Sequence, residues 1–310
     1  DIKACEILLK ERERIKANIK KTLKDKQNVF KQKDTDKYTT YVNCTYADKK
    51  YVTENDASYN MSIGFLNGSN MSTMITNSGA DFLRYKDKIV NRQRYTEVNT
   101  SGNYIFLTDK TTGNVISATD CNIHSPYNAC INKCNWVNNL NGIECYLEGD
   151  NIETTTNIFL SQEYDVEIKK VSMYNNSNIR REIVINTLIE PAMTDYMTNI
   201  VHPSFSNLQI ETYYDEELDI LVASKRKKND EDSDLFVYAK LVGIDLEKEV
   251  ETEKMKVSKN DMSAYDGNVV RYPLWPILSY RTSIILDPYE RQEFYYIVGV
   301  ADSKYKIANT

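Results

Sequence analysis

Between residues 84 and 95 the chain reads RYKDKIVNRQRY, a run of guanidinium and ammonium groups interleaved with tyrosines. Arg84, Arg92 and Arg94 carry planar, permanently charged forks that donate to carboxylates or hydroxyls, and a ring such as that of Tyr85 offers an apolar face with a polar tip. The run stands in a chain of 310 residues whose formal net charge is −6. An acidic balance of this kind gives no broad positive field for nucleic acid or an anionic membrane, so neither partner is expected. Two uses remain for the basic run. It contacts a polar ligand, or it pairs with neighbouring Asp and Glu to fix hairpins and dock the domain on a neighbour.

A second constellation lies in CNIHSPYNACINKCNWVNNLNGIEC, where Cys121, Cys130, Cys134 and Cys145 accompany His124. Thiolates and imidazoles are the ligands of tetrahedral zinc, but a Cys-x2-Cys pair is missing and Cys145 falls in a strand-like stretch with Ile143 and Tyr146. Small buried hydrophobes are the simpler reading, and no metal is expected. Six cysteines are too few for a disulfide scaffold at this length. The ten glycines show neither Walker nor dinucleotide spacing, so no nucleotide or other cofactor is expected. His124 and His202 are the only histidines, and no strand-turn-helix elbow presents a serine to either, which argues against triad hydrolysis. His202 before Pro203 reads as a turn residue, and Trp275 between Pro273 and Pro276 as core. Glycoside hydrolysis needs two carboxylates at a set separation; the 45 acidic residues offer many pairs, and spacing does not choose among them. Asn-X-Ser/Thr triplets at Asn43, Asn60, Asn67, Asn70, Asn99 and Asn175 read as chance in a chain whose Asn, Lys, Ile and Tyr bias is typical of AT-rich bacterial coding sequence.

The elements that must position these groups change character along the chain. Ile15, Ile19 and Leu23 form a narrow apolar stripe among Lys and Glu, predicting an amphipathic helix that the polar stretch KDTDKYTT at 33–40 ends. A helical linker segment over 1–37 and a β region over 38–310 follow. The start at Asp1 rather than Met marks an expected piece of a longer protein. In the β region the period is two: Leu208 to Tyr214 and Leu218 to Val222 flank DEE, and Tyr104 to Thr108 and Asn114 to Ala118 flank DKTTG. Tyr164 to Tyr174 and Ile179 to Ile189 read as a third hairpin across NNSN. The parity of Val166, Ile168, Val171 and Met173 slips, which predicts a β-bulge at Lys169 or Lys170. KRKKNDEDSD at 225–234 reads as a solvated hairpin tip. The longest apolar run, Phe294 to Ala301, is far short of the roughly 20 residues of a membrane span. The expected fold is mainly β, a large antiparallel β-sandwich preceded by one amphipathic helix.

The segment MSTMITNSGADFLRYKDKIVNRQRYTEVNTSGNYIFLTDKTTGNVISA at 71–118 resembles the amino-terminal supersandwich of the glycoside phosphorylase family that includes cellobiose phosphorylase and cyclic β-1,2-glucan synthase. The order Asn77, Gly79, Tyr85-Lys86-Asp87, Arg92, Arg94, Tyr95 carries it. YDVEIKKVSMYNNSNIRREIVINTLIEP at 164–191 is similar too, and HPSFSNLQIETYYDEELDILVASKR at 202–226 and YPLWPILSYRTSIILDPYERQEFYYIVGVA at 272–301 are especially like the cyclic glucan synthases.

The resemblance implies a glycosyltransferase 36-like, carbohydrate-binding and non-catalytic domain of a cytoplasmic glucan-active enzyme. The catalytic (α/α)6 barrel of the parent protein would follow it and be absent here. Implied partners are a β-glucan oligosaccharide and that barrel. A homodimer is compatible, membrane association is left to the parent, and inorganic phosphate would serve the parent enzyme alone. On this reading Arg84, Tyr85, Arg92, Arg94 and Trp136 are the expected carbohydrate-contacting set, with aromatic faces on sugar C–H groups and guanidinium forks on hydroxyls. Pairing of the arginines within the fold stays open. So do a self-contained β-sandwich glycoside hydrolase or lyase with its own carboxylate pair, and a metal-stabilised interaction module built on the cysteines.

Overall fold

A computed structural model describes residues 51–54, 62–93, 102–120, 130–139, 142–226, 234–244, 248–253 and 269–308. The expected amino-terminal helix lies outside them. The first strands are β1 (Tyr51–Glu54), β2 (Ile63–Asn67), β3 (Met71–Thr76), β4 (Asp81–Tyr85), β5 (Lys88–Asn91), β6 (Asn103–Asp109) and β7 (Val115–Ser117). Then come β8 (Ile131–Asn139), β9 (Gly142–Gly149), β10 (Ile152–Leu160), β11 (Val166–Asn175), β12 (Arg181–Ile189) and β13 (Pro191–Thr194). Two short helices follow, α1 (Tyr196–Val201) and α2 (Pro203–Asn207). The remainder is β14 (Ile210–Asp215), β15 (Ile220–Lys225), β16 (Phe236–Val242), β17 (Glu249–Glu253), β18 (Pro276–Leu286), β19 (Arg291–Ala301) and helix α3 (Lys304–Ala308).

These strands form a nine-stranded sheet, β1-β8-β9-β10-β11-β19-β16-β15-β14, and two five-stranded sheets, β17-β18-β12-β6-β7 and β13-β5-β4-β3-β2. Every pairing among them is antiparallel. The fold is therefore the mainly β, antiparallel sandwich that the alternation predicts. One large core draws side chains from all three sheets, among them Leu83, Ile105, Leu147, Val171, Ile185 and Tyr280. A smaller cluster lies on the other face of the nine-stranded sheet, where Ile307 of α3 packs with Val166, Val222 and Phe236. Burial on both faces explains why Phe294 to Ala301 carries no polar alternation.

The hairpins β6–β7, β14–β15 and β15–β16 pair as expected, and the 227–233 tip of the last lies outside the described residues. The third expected hairpin does not form. β11 pairs with β10 and β19, whereas β12 pairs with β18 and β6 in a different sheet, so the NNSN turn carries the chain between sheets. The β18–β19 connection makes the same crossing beside it. Asn175 joins the two: its amide donates to Ile179 O at 2.7 Å and Asp287 O at 3.1 Å, its N–H to Glu290 O, and it accepts from Tyr289 N–H. An inward-facing strand has the same pattern in either sheet, so periodicity does not distinguish a hairpin from a crossing.

The expected β-bulge is also absent, since the β10–β11 and β11–β19 registers run unbroken through Lys169 and Lys170. Parity slips for another reason. Glu167 and Lys169 share the inward face with Val171 and Met173, so charged side chains occupy core positions.

Candidate functional site

Among the described residues, the expected carbohydrate-contacting groups do not meet on one surface. Arg84 is exposed, whereas Tyr85, the next residue on β4, points into the main core, as strand alternation requires. The Lys86 ammonium sits 4.9 Å over the Tyr85 ring. Trp136 on β8 is buried in the same core, where a Cβ added to Gly64 would lie 3.2 Å from its ring. Arg94 lies outside the described residues, as do Cys121 and His124. Cys134 and Cys145 are core residues of β8 and β9, and among the described residues no group of three or more His, Cys, Asp or Glu could hold a metal. His202 sits between α1 and α2, with its N–H donating to Thr198 O. Trp275 is partly exposed rather than core, and its N–H donates to Glu253 at 3.2 Å.

Arg92 is buried and fully engaged. Its guanidinium donates to Asn199 Oδ1 at 2.9 Å, to Ser206 Oγ at 3.2 Å and to Asn207 Oδ1. Its N–H donates to Glu190 O at 2.7 Å, and the Asn199 amide donates back to Gln93 O at 2.9 Å. One arginine fork thus fastens both short helices to the end of β5. Asp195 caps α1 by accepting from Thr198 N–H at 2.8 Å and from its hydroxyl at 2.6 Å. These two donors, the hydroxyl foremost, hold the carboxyl below the usual range and satisfy an amide that the helix start leaves open.

The helices held in this way turn apolar side chains outward. Tyr196, Met197, Ile200, Val201, Phe205 and Leu208 are all exposed, Met197 at 62% and Phe205 at 58%. Contiguous exposed apolar groups on a fastened element are the kind of surface that protein interfaces use.

A different feature went unseen in the sequence. Lys169 Nζ lies 2.7 Å from Asp81 Oδ2 and 3.3 Å from Glu167 Oε1, with all three side chains sealed at 1% exposure or less. The same ammonium donates to Asn103 O, the Asn103 amide donates to Glu167 Oε1 at 2.8 Å, and Thr73 Oγ1 donates to Asp81 Oδ1 at 2.7 Å. The cluster therefore ties β3, β4, β6 and β11, at least one strand from each of the three sheets. Burial first and the Asp81 carboxylate second push the Glu167 carboxyl up to about 8. Burial alone would pull Lys169 down, but Asp81 and Glu167 outweigh it and hold the ammonium above the ordinary lysine range. One cation thus faces two carboxyls, and burial beside Asp81 shifts the Glu167 carboxyl above its ordinary range. The signal for it in the sequence was the parity slip in β11. Arg181 makes a second buried pair with Asp109 at 2.7 Å.

Three antiparallel sheets packed around one core make a β-supersandwich. Residues 49–310 match the supersandwich domain of glycosyl hydrolase 94, and the chain belongs to that family. It is 25% identical over 178 residues to the cyclic β-(1,2)-glucan synthase NdvB of Rhizobium meliloti strain 1021, a match covering 56% of this chain and 6% of that protein. A bacterial glucoamylase complexed with acarbose is similar at 12% identity and a TM-score of 0.48, over 80% of this chain and 33% of the other. A protein described as a kojibiose phosphorylase from the human microbiome is similar at 7% identity and a TM-score of 0.45, over 79% of this chain and 31% of the other. The chain thus spans about a third or less of each of these relatives. Among the described residues no helix is long and apolar enough to cross a membrane.

Proposed function

We propose that this chain is a non-catalytic supersandwich domain of a glucan-active glycoside phosphorylase or cyclic β-1,2-glucan synthase, which supports the catalytic (α/α)6 barrel and binds β-glucan. The observation that carries the supporting role is the apolar face of α1 and α2, which is fastened by Arg92 yet exposed among the described residues. Family membership and the glucan synthase named among the relatives favour the substrate class. The carboxyl pair gathered in the core, Asp81 with Glu167, is sealed from solvent and does not favour a self-contained hydrolase.

The test is an assay of the chain on β-1,2-gluco-oligosaccharides with and without inorganic phosphate. The expected result is no glucose 1-phosphate and no free sugar above a protein-free blank. Turnover by a preparation proven free of contaminating enzyme overturns the non-catalytic reading.

A further inference from the structure

The β14 edge of the nine-stranded sheet borders an open groove of about 480 Å³. That volume is in the range common for small-molecule sites. One wall is β14 itself. The other is the 269–271 segment, tied to β14 by Thr212 N–H donating to Arg271 O at 2.9 Å and Thr212 Oγ1 to Val270 O at 2.5 Å. The carboxy-terminal helix α3 brings Lys304, whose ammonium stands 5.2 Å over the Tyr213 ring. These ties fix the backbone of the groove, while its charged ends stay wet: Arg271 is 70% exposed beside Glu211, with the two charges 3.9 Å apart.

The chemistry of the lining selects a ligand class. Glu211 and Glu216 oppose Arg271 and Lys304, so the formal charges of the wall cancel and neither an anion nor a cation is favoured. The half-buried Tyr213 packs at its inner side against the second hydrophobic cluster. Tyr214 is oriented by its hydroxyl donating to Asp219 at 2.7 Å. A neutral, polyhydroxylated chain suits such a wall, because its hydroxyls both donate and accept and its C–H faces can take the place of the Lys304 ammonium over the Tyr213 ring.

We infer that the groove between β14, the 269–271 segment and α3 is a binding site for a neutral oligosaccharide, with Tyr213, Arg271 and Glu211 as its principal contacts. The site deepens the β-glucan part of the proposed function and rests on it.

The experiment is a calorimetric titration of the 310-residue chain with a β-1,2-linked glucotetraose, alongside a sulfated heparin tetrasaccharide as the charged comparison. The expected result is saturable binding of the glucan, negligible binding of the sulfated sugar, and a Kd raised about tenfold or more, or about 1.4 kcal/mol, in Tyr213→Ala and Arg271→Ala. If Tyr213→Ala does not fold, Arg271→Ala decides, since its side chain is mostly in solvent. Glucan binding that both variants keep within about twofold overturns this site and leaves glucan binding standing. No binding by the unaltered chain at millimolar sugar overturns both. Tighter binding of the sulfated sugar overturns the neutral class.

Discussion

The Asp81–Lys169–Glu167 cluster and the α1–α2 excursion invert the ordinary rule of burial in opposite senses. In the first, charged groups sit where the sheets meet, at 1% exposure or less; in the second, Met197, Ile200, Phe205 and Leu208 face outward. The cluster is satisfied around its cation, while Glu167 Oε2 and Asn103 Oδ1 are buried without a hydrogen-bond partner. Its ammonium has two carboxyls and a carbonyl, and its inner polar groups find donors in Thr73 and Asn103. The excursion is tied down only on its inner side, where Arg92 donates to the side-chain oxygens of Asn199, Ser206 and Asn207. On the proposed reading, the buried charge set specifies how the three sheets meet, and the exposed apolar set is where the catalytic barrel docks.

The largest expected effect separates the two. Lys169→Ala leaves two carboxyls in the core without their cation and should cost about 3–5 kcal/mol in chemical denaturation. Replacing the cluster as a whole, with Lys169→Met, Asp81→Asn and Glu167→Gln together, should recover much of that loss, because nothing charged is left stranded. A Lys169→Ala protein as stable as the parent chain would remove the cluster from its place as the pin between sheets.

Next in size is a pH dependence. The Glu167 carboxyl is held up to about 8 in the fold against an ordinary 4.5, so between those values the folded chain binds more protons than the unfolded one. Stability from this group is full below about 4.5 and declines as pH rises towards about 8. Glu167→Gln should flatten that part of the profile of unfolding free energy against pH, and an unchanged slope would contradict the assignment.

A smaller loss is expected at the join between the regions. Arg92→Ala takes the shared donor from three buried partners, Asn199, Ser206 and Asn207. The change should cost about 1–3 kcal/mol. Hydrogen exchange should speed up in α1 and α2 and leave β11 unaffected. Arg92→Lys should restore little, since a single ammonium does not reproduce the fork. Equal protection of both helices in Arg92→Ala would show that the excursion is held by something else.

The smallest effect on the domain itself is expected at the apolar face, where Ile200 and Phe205 are exposed. Ile200→Asp and Phe205→Asp should change its stability by no more than about 0.5 kcal/mol, as substitutions at exposed sites usually do. The same variants should abolish association with a separately produced (α/α)6 barrel of the family. Undiminished association would move the docking surface elsewhere on the sandwich.

The strands were legible wherever one face met the core and the other met water or a half-buried layer. Ile152–Leu160 alternates strictly, and the Tyr213–Val222 and Leu107–Ile116 partners are those that the turn residues between them predict. The antiparallel class follows from the same local signals, whereas the resemblance on 71–118, 164–191, 202–226 and 272–301 rests on the order of particular residues. What local signals do not carry is which sheet a strand joins. The crossing at 176–180 reads as a hairpin because inward-facing residues look alike in either layer, and the side chain that sends β11 and β12 apart, Asn175, acts through partners near residue 287.

The candidate sites divide in the same way. The basic aromatic run from Arg84 to Arg92 announced itself by composition, yet strand alternation turns Arg84 out and Tyr85 in, and a long-range hydrogen-bond set draws Arg92 under the helices. Lys169 left only a slip in parity, because its partners Asp81 and Asn103 are distant in sequence and brought within reach by the stacking of separate sheets. Periodicity is a property of neighbouring residues and was settled by the sequence itself. The meeting of charges across layers depends on the path of the whole chain, and only the tertiary structure decided it.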